Sequence, residues 1–340
     1  MRSFASDNNS GVHPRIIQAI TDANEGHAVG YGDDEMTAKT DAAFRQIFGD
    51  DVHPYYVFNG TGSNIVALQS LTRTYGSIIC AATAHINTDE CGAPGKATSA
   101  VLKPVSTPDG KLTAELIAGE LHGLGVQHHS QPQVISIAQS TEMGTMYTSE
   151  ELKTLCDFAH THNMTVHMDG SRLANACARL KVGMRELSRD CGVDVLSLGG
   201  TKNGMMIGEA IISFRPGLNE SLMYLRKQSA QLYSKMRYLS AQYLAYFQDD
   251  LWLKNATHSN AMAQYLADKI RNLPGVRFTQ KIEANSLFLI LPKDAIRKML
   301  EHYFFYMWNE DTDEIRLVCS WDTTQSDIDA FEEQLKKILS

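Results

Sequence analysis

The chain has 340 residues, of which 43% are hydrophobic and 21% are charged, and its formal net charge is −8. This composition is typical of a soluble globular enzyme with one large domain and a smaller one. The basic residues do not cluster into a block along the chain. This distribution argues against a surface that binds nucleic acid or an anionic membrane, and it favours small-molecule partners.

The cysteine content and the N-terminal residues bear on the cellular location of the protein. Six cysteines occur without a Cys-x-x-Cys pair, so neither a zinc nor a redox motif is predicted and reduced thiols are expected. The N-terminal residues turn polar at once, and no run approaches the roughly eighteen apolar residues of a membrane span. We therefore expect a cytoplasmic protein without an export signal.

The predicted elements in the first two thirds of the chain alternate between short β-branched runs and longer helical patterns. Strands are predicted at 55–58, 134–137, 165–169, 193–198 and 210–214, and helices at 65–71 and 149–160. This alternation is typical of right-handed βαβ units and a mostly parallel sheet with helices on both faces. The short gap between the last two strands favours a hairpin there.

The C-terminal third has an α+β pattern. A long amphipathic stretch at 218–247 is predicted to bridge two domains, and strands follow at 276–278, 287–290, 304–307 and 315–318. Thr324, with Asp327 three residues later, marks the start of a last helix. The predicted organisation is an arm at 1–15, a large domain at 16–245 and a small domain at 246–340.

The loop at 59–64, with the sequence Asn-Gly-Thr-Gly-Ser-Asn, lies between a predicted strand and a predicted helix. Its small residues allow backbone N–H groups and two hydroxyls to converge on a phosphate at a helix N-terminus. The third glycine of a dinucleotide fingerprint is absent, so a dinucleotide fits poorly. A simple tight turn is the alternative interpretation.

Two chemically useful residues follow predicted strand ends. Asp169 ends the strand at 165–169, at the sheet edge where α/β proteins bind ligands, and a carboxylate there can pair with a pyridinium nitrogen. The alternative for Asp169 is a plain helix N-cap. Lys202 follows the next strand between glycines. A lysine becomes reactive near neutral pH when it is poorly solvated or joined to a carbonyl compound, although most lysines are merely solvated.

A phosphate loop, a strand-end aspartate and a strand-end lysine in this order resemble the fold type I pyridoxal-phosphate enzymes. Within them the chain resembles the low-specificity L-threonine aldolase family, in the β-eliminating lyase and aldolase group. The matching segments are 6–8, 31–34, 60–64, 84–85, 167–172, 201–204, 236–237 and 315–318. The resemblance implies cleavage of L-threonine, L-allo-threonine or a related β-hydroxy-α-amino acid, such as phenylserine, to glycine and an aldehyde. It also implies a large domain with a mostly parallel sheet and a smaller C-terminal α+β domain.

The resemblance implies roles for the matching residues in binding pyridoxal 5'-phosphate. Lys202 would hold the cofactor covalently, Asp169 would pair with its pyridine nitrogen, and His85 would stack on its ring. Its phosphate group would be held by Gly60, Thr61, Gly62 and Ser63, with Arg237 reaching the phosphate site of a neighbouring subunit. No metal is expected.

The substrate carboxylate would be bound by Arg172 and Arg316 with help from Ser6. Arg172 is thereby expected at both the cofactor and the substrate. The catalytic base stays open between His85 and Glu142, because Glu142 stands where many family members have a second histidine.

The shared cofactor sites of the family imply a homo-oligomer, at least a dimer and by resemblance a tetramer. In it, the segment 31–34 is a candidate to complete the site of a partner, although a glycine turn with solvated acids is the alternative. The segment before Arg237 lacks the glycine-rich run that the resemblance leads us to expect, which makes Lys235 a weaker phosphate ligand.

Three other functions compete with this prediction. A metallohydrolase would use His160, His162, His167 and Asp169 as zinc or iron ligands, but it leaves Lys202 unexplained. A non-catalytic cofactor-binding protein would need neither Asp169 nor Lys202. A β-eliminating lyase of the same fold would share both residues and would form pyruvate and ammonia instead of glycine and an aldehyde.

Overall fold

The computed structural model describes residues 2–340, in which two β-sheets are surrounded by helices. The strands are β1 (Pro54–Val57), β2 (Gly76–Ala81), β3 (Val101–Val105), β4 (Gln131–Ala138), β5 (Thr165–Gly170), β6 (Val195–Gly199), β7 (Glu209–Ser213), β8 (Arg277–Phe278), β9 (Ser286–Ile290), β10 (Tyr306–Asn309) and β11 (Glu314–Val318). The α-helices are α1 (Pro14–Asp22), α2 (Glu35–Phe48), α3 (Gly60–Leu71), α4 (His85–Thr88), α5 (Ala93–Thr98), α6 (Ala114–Ala118), α7 (Ser149–Thr161), α8 (Leu173–Leu180), α9 (Asn219–Gln228), α10 (Arg237–Phe247), α11 (Leu251–Ile270), α12 (Lys293–Leu300) and α13 (Gln325–Leu339). None of these helices is long and apolar enough to cross a membrane.

The larger sheet has seven strands in the order β1-β7-β6-β5-β4-β2-β3. The four junctions from β6 to β3 are parallel, whereas β7 runs antiparallel to both of its neighbours, β6 and β1. The predicted mostly parallel sheet is therefore confirmed, as is the hairpin between β6 and β7. Parallel strands in this arrangement bring their carboxyl ends to one edge, where the connecting segments meet.

The central strands are buried because helices cover both faces of this sheet. Every residue of β2, β6 and β7 is buried. Neighbouring residues enter opposite cores: Ile79 packs into the larger cluster, whereas Ile78 packs on the other face with Leu68. This follows from the alternation of side chains along a strand. Complete burial of such a side chain stabilises the fold by about 1.5–3 kcal/mol.

Side-chain caps mark the starts of α13 and α3. At α13, Thr324 and Asp327 form a reciprocal capping box, which confirms the predicted helix start. At α3, the Asn59 side chain accepts a hydrogen bond from the N–H of Gly62 at 2.7 Å. The glycine loop is therefore the first turn of a helix, where backbone N–H groups lack helical partners.

The amphipathic stretch at 218–247 differs from the prediction because it forms two separate helices, α9 and α10. Ala230 lies between them with a φ of +58°, a left-handed conformation that ends a right-handed helix. Helix α9 packs against α3 and β1, whereas α10 packs against α1 and α2. Both helices therefore lie mainly against the part of the chain that contains the larger sheet.

The smaller sheet is antiparallel, with the order β10-β11-β9-β8, and α11, α12 and α13 contribute to its core. The N-terminal arm belongs to this core. Phe4 is fully buried in it, with its ring centroid 5.1 Å from that of Phe331, and Ser3 bridges to Phe304. The boundaries 1–15, 16–245 and 246–340 stay a prediction, and residue 1 lies outside the described residues.

Candidate active site

A cavity of about 710 Å³ lies beside the turn that follows β6. The predicted site residues that line it are Ser6, His85, Glu142, Arg172, Lys202 and Arg316. The sequence did not indicate eight other residues of its wall, which are Asn9, Ala82, Thr83, Thr88, Asp89, Tyr306, Met307 and Trp308. The fold therefore brings together residues from the arm, both sheets and the segments between them.

Asp169 is the second-last residue of β5 and is buried, and both of its carboxylate oxygens accept hydrogen bonds. One oxygen accepts from Asn64 Nδ2 at 2.9 Å, and the other accepts from the backbone N–H and the hydroxyl of Ser171 at 3.0 and 2.6 Å. Burial tends to raise the pKa of Asp169, but the charge of Lys202 and these hydrogen bonds outweigh it and lower the pKa. The group is thus held as a carboxylate, as pairing with a cationic ring nitrogen requires.

Lys202 lies in a short 3-10 turn, Thr201–Asn203, between β6 and β7. The turn is fixed by Asn203, whose amide donates to the Tyr246 hydroxyl and to the Trp252 carbonyl, each at 2.8 Å. Gly204 follows with a φ of +103°, a conformation that favours glycine. The Lys202 backbone is therefore held firmly while its side chain lines the cavity.

Glu209 is a buried carboxyl group near Lys202 that sequence reasoning missed. It begins β7 directly opposite Gly199 of β6. Burial raises the pKa of Glu209 to about 8, although Lys202 and Thr201 oppose the shift. Near neutral pH this residue is therefore largely protonated.

The start of α3 offers donors of the kind that bind an anion. The hydroxyl of Ser63 is buried and has no hydrogen-bond partner within residues 2–340. A buried polar atom of this kind calls for a ligand or an ordered water. Gln231 borders the same turn: its Oε1 accepts from the Phe58 N–H at 3.0 Å, and any side chain at Gly62 would collide with its carboxamide. The loop thus fits a phosphate group, with Gln231 as a neighbour that the sequence did not reveal.

Arg172 is buried in an ion pair with Asp7. Its Nε and Nη2 donate to the two Asp7 oxygens at 2.8 and 2.9 Å, and Asn285 donates to Asp7 at 3.1 Å. Burial raises the pKa of Asp7, but the charge and hydrogen bonds of Arg172 lower it by more. The two-pronged edge expected to bind the substrate carboxylate is therefore occupied by Asp7, which leaves Nη1 of Arg172 for a ligand.

Arg316 has more binding capacity left. Its Nε is buried without a partner in the described part of the chain, and its Nη1 lies 4.0 Å from the nearer Glu142 oxygen. Its guanidinium lies 5.2 Å from the centre of a Trp308 ring and 5.8 Å from that of Tyr306. Burial and the neighbouring charge of Arg172 lower the pKa of Arg316. An anion beside these two arginines would relieve their mutual repulsion.

The two candidate bases lie in different surroundings. His85 Nδ1 lies 2.8 Å from Glu90 Oε1, and this hydrogen bond raises the pKa of His85 although burial opposes it. Glu142 faces the cation Arg316. In this geometry, His85 is therefore the better candidate to receive a proton.

Arg237 and Lys235 lie outside the cavity. Arg237 donates to the backbone carbonyls of Glu25 and Gly26 at 3.0 and 3.3 Å, and both basic residues line a separate surface depression with residues 26–30. Tyr31 is 54% exposed nearby, with Lys227 over its ring. Within one protomer, these residues do not reach the site around Lys202.

The residues of the metallohydrolase alternative do not converge. His160 pairs with Asp194 at 3.0 Å, and His162 bonds to the Phe158 carbonyl. His167 is buried between the hydroxyls of Ser136 and Ser197, where burial lowers its pKa to about 4. Residues 2–340 contain no group of three or more His, Cys, Asp or Glu side chains arranged to hold a metal ion.

Comparison with known proteins gives a consistent result. The model of the beta-eliminating lyase family matches residues 3–292. The chain is 41% identical over 338 residues to the low specificity L-threonine aldolase of Pseudomonas aeruginosa, covering 99% of this chain and 97% of that protein. It is 38% identical over 340 residues to that of a Pseudomonas species, covering 100% and 98%. The solved structure of Leishmania major threonine aldolase superimposes with a TM-score of 0.94 at 29% identity and covers 100% of both chains. The predicted fold type is confirmed.

Proposed function

The chain belongs to the beta-eliminating lyase family, and from that premise we propose that it is a pyridoxal-phosphate-dependent aldolase. It cleaves L-threonine, L-allo-threonine or related β-hydroxy-α-amino acids to glycine and an aldehyde, which makes it a carbon–carbon lyase. The observation that carries this proposal is the buried Asp169 carboxylate, which is held ionised near Lys202 at the end of neighbouring strands.

The residues around the cavity fit pyridoxal 5'-phosphate. Lys202 would hold its aldehyde carbon, Asp169 would pair with the pyridine nitrogen, and His85 would lie against the ring. The phosphate would be bound at the first turn of α3, where the Ser63 hydroxyl lacks a partner among the described residues. When bound, this cofactor supplies an electron-poor ring that accepts the electron pair of the broken Cα–Cβ bond.

The substrate carboxylate would bind to Arg316, to the remaining Nη1 of Arg172 and to Ser6. Arginine donors match the two oxygens of a carboxylate, and burial of these groups strengthens the contact. Holding the carboxylate restricts rotation about Cα. The arginines therefore decide which substituent of Cα is presented for cleavage.

Removal of the β-hydroxyl proton starts the cleavage, and His85 is our first candidate for the base. Its pKa is raised by Glu90, which brings a histidine closer to the protonation balance that proton transfer requires. Glu142 is the second candidate, and it also balances the charge of Arg316.

We further propose a homotetramer in which cofactor sites lie at subunit interfaces. Arg237, Lys235 and the exposed Tyr31 would then act at the phosphate site of a neighbouring subunit. Sedimentation of the active enzyme tests the assembly, since an active monomer would contradict it. We also propose a cytoplasmic location, which suits the six free thiols.

An assay of aldehyde release from several β-hydroxy-α-amino acids tests the function. The wild-type protein should form glycine and an aldehyde, whereas Lys202→Ala should lose both turnover and the absorbance of the covalently bound cofactor. Pyruvate and ammonia as main products would favour the β-eliminating lyase instead. Full aldol cleavage by Lys202→Ala would refute the proposed function.

A further inference from the structure

Glu90 is a completely buried acidic residue next to the proposed active site. Its side chain is 0% exposed and lies in the segment between α4 and α5. Burial of a carboxylate is unfavourable unless hydrogen bonds or ion pairs compensate it. The compensating groups here are His85 and Asn64, so this carboxylate is bound to two side chains of the site.

A continuous set of hydrogen bonds joins Glu90 to both sides of the cofactor site. Its Oε1 lies 2.8 Å from His85 Nδ1 and accepts from Asn64 Nδ2, also at 2.8 Å. The same Nδ2 donates to Asp169 at 2.9 Å. Side chains from α3, from α4 and from the end of β5 are thereby held at fixed distances from one another.

The contact with Glu90 determines which nitrogen of His85 carries a proton. A carboxylate only accepts, so Nδ1 must donate and Nε2 is the nitrogen left to exchange protons. The other charges that face His85 are Glu142 and Asp169, which raise its pKa, and Lys202, which lowers it, as burial does. Glu90 makes the largest contribution and is the one that bonds directly to the ring.

We propose that Glu90 is a positioning residue for the aldol cleavage, because it holds His85 through Nδ1 and leaves Nε2 to take the β-hydroxyl proton. This inference rests on the proposed function. The O–H bond breaks as an N–H bond forms at Nε2, and the freed pair completes the carbonyl of the aldehyde while the Cα–Cβ pair stays with Cα. Through Asn64, Glu90 also fixes the spacing between His85 and Asp169.

The test combines NMR of ¹⁵N-histidine-labelled holoenzyme with kinetics for the wild type, Glu90→Gln and Glu90→Asp. His85→Asn assigns the His85 signals. We expect the wild type to show Nδ1 protonated above its titration midpoint. Glu90→Gln should lower that midpoint by about one pH unit or more. The acid limb of the kcat profile should shift in the same direction, and kcat should fall about tenfold or more while KM changes less. Glu90→Asp should restore part of the His85 titration midpoint and part of kcat.

The matched control is His160→Gln, which removes a carboxylate-paired histidine on α7 outside the cavity. It should leave the His85 midpoint and the kcat profile unchanged. An unchanged midpoint in folded Glu90→Gln would overturn the proposal. If that variant does not fold, the wild-type tautomer decides, because a proton on Nε2 of neutral His85 would also overturn it. Failure of the wild type to release aldehyde would refute the proposed function, while the NMR result still tests the pair.

Discussion

Arg172 and Asp7 form a buried, two-pronged ion pair, with donor–acceptor distances of 2.8 and 2.9 Å, that joins the end of β5 to the N-terminal arm. Asn285, just before β9, binds the same carboxylate. Asp7 therefore links three parts of the chain at one point. Ser6, which lines the cavity, is adjacent to that link.

Replacement of Asp7 by Asn should weaken both substrate binding and folding. Loss of one partner leaves a buried guanidinium uncompensated, which typically costs about 3–5 kcal/mol. We expect KM for the amino acid to rise about tenfold, corresponding to about 1.4 kcal/mol, with a lower melting temperature and a smaller change in kcat. Steady-state kinetics and thermal unfolding measure both.

Asp322→Asn is the control for the arm. Asp322 pairs with Arg2 on the same arm at 2.9 Å, but both side chains are partly exposed. Pairs of this kind contribute about 0–1 kcal/mol, so KM should not change. A lower KM in Asp7→Asn would mean that Asp7 competes with the substrate for Arg172, contrary to our interpretation.

Asp169→Asn should weaken cofactor binding. The substitution keeps the shape of the side chain but removes the charge that would pair with the ring nitrogen. A hydrogen bond to a charged group contributes about 1.5–3 kcal/mol, so the dissociation constant should rise roughly 10- to 100-fold. Absorbance titration of the apoprotein with pyridoxal 5'-phosphate measures this. Asp157→Asn, at an exposed pair with Lys153, is the control, and equal affinities in all three proteins would contradict the assigned role.

Glu209 should make the protein less stable as the pH rises. Its pKa is raised from 4.5 to about 8 in the folded state, so unfolding releases a proton between these values. Folding favours the protonated form of Glu209. Its contribution to the free energy of unfolding is therefore fully present below pH 4.5 and is lost as the pH rises towards 8. Glu209→Gln should therefore gain stability relative to the wild type as the pH rises, as measured by thermal unfolding across this range.

The control for this titration is Glu35→Gln, which removes an exposed carboxylate paired with Lys39. Over the same pH range, the difference in thermal stability between Glu35→Gln and the wild type should vary little compared with that of Glu209→Gln. If Glu209→Gln instead becomes less stable than the wild type at alkaline pH, the carboxylate is ionised and paired with Lys202.

Much of the larger sheet could be predicted because its signals are local, although β2 and β3 were not predicted. Buried β-branched runs predicted β4 to β7, and Thr324 with Asp327 predicted the start of α13. The break between α9 and α10 was missed because it depends on a left-handed alanine, Ala230, which no local pattern requires. The strand-end positions of Asp169 and Lys202 were likewise readable from the sequence.

The partners of the site residues were not readable, because they are distant in the chain. Asn64 reaches Asp169 across 105 positions, and Arg172 reaches Asp7 across 165. Such contacts depend on how the strands and the arm assemble. The sequence therefore predicted six side chains that line the cavity, but neither the ion pair of Arg172 with Asp7 nor the contact of Glu90 with His85.

Comparison of His85→Asn with Glu142→Gln should identify the base. If His85 takes the β-hydroxyl proton, its replacement should lower kcat by roughly 10²- to 10⁴-fold, the usual contribution of general base catalysis. Glu142→Gln should lower kcat less and should change KM, because Glu142 faces Arg316. A histidine base must be neutral, and its pKa is raised, so wild-type activity should fall as the pH drops below that raised pKa. Wild-type activity that does not fall in this way, together with a nearly inactive Glu142→Gln and a nearly normal His85→Asn, would assign the base role to Glu142.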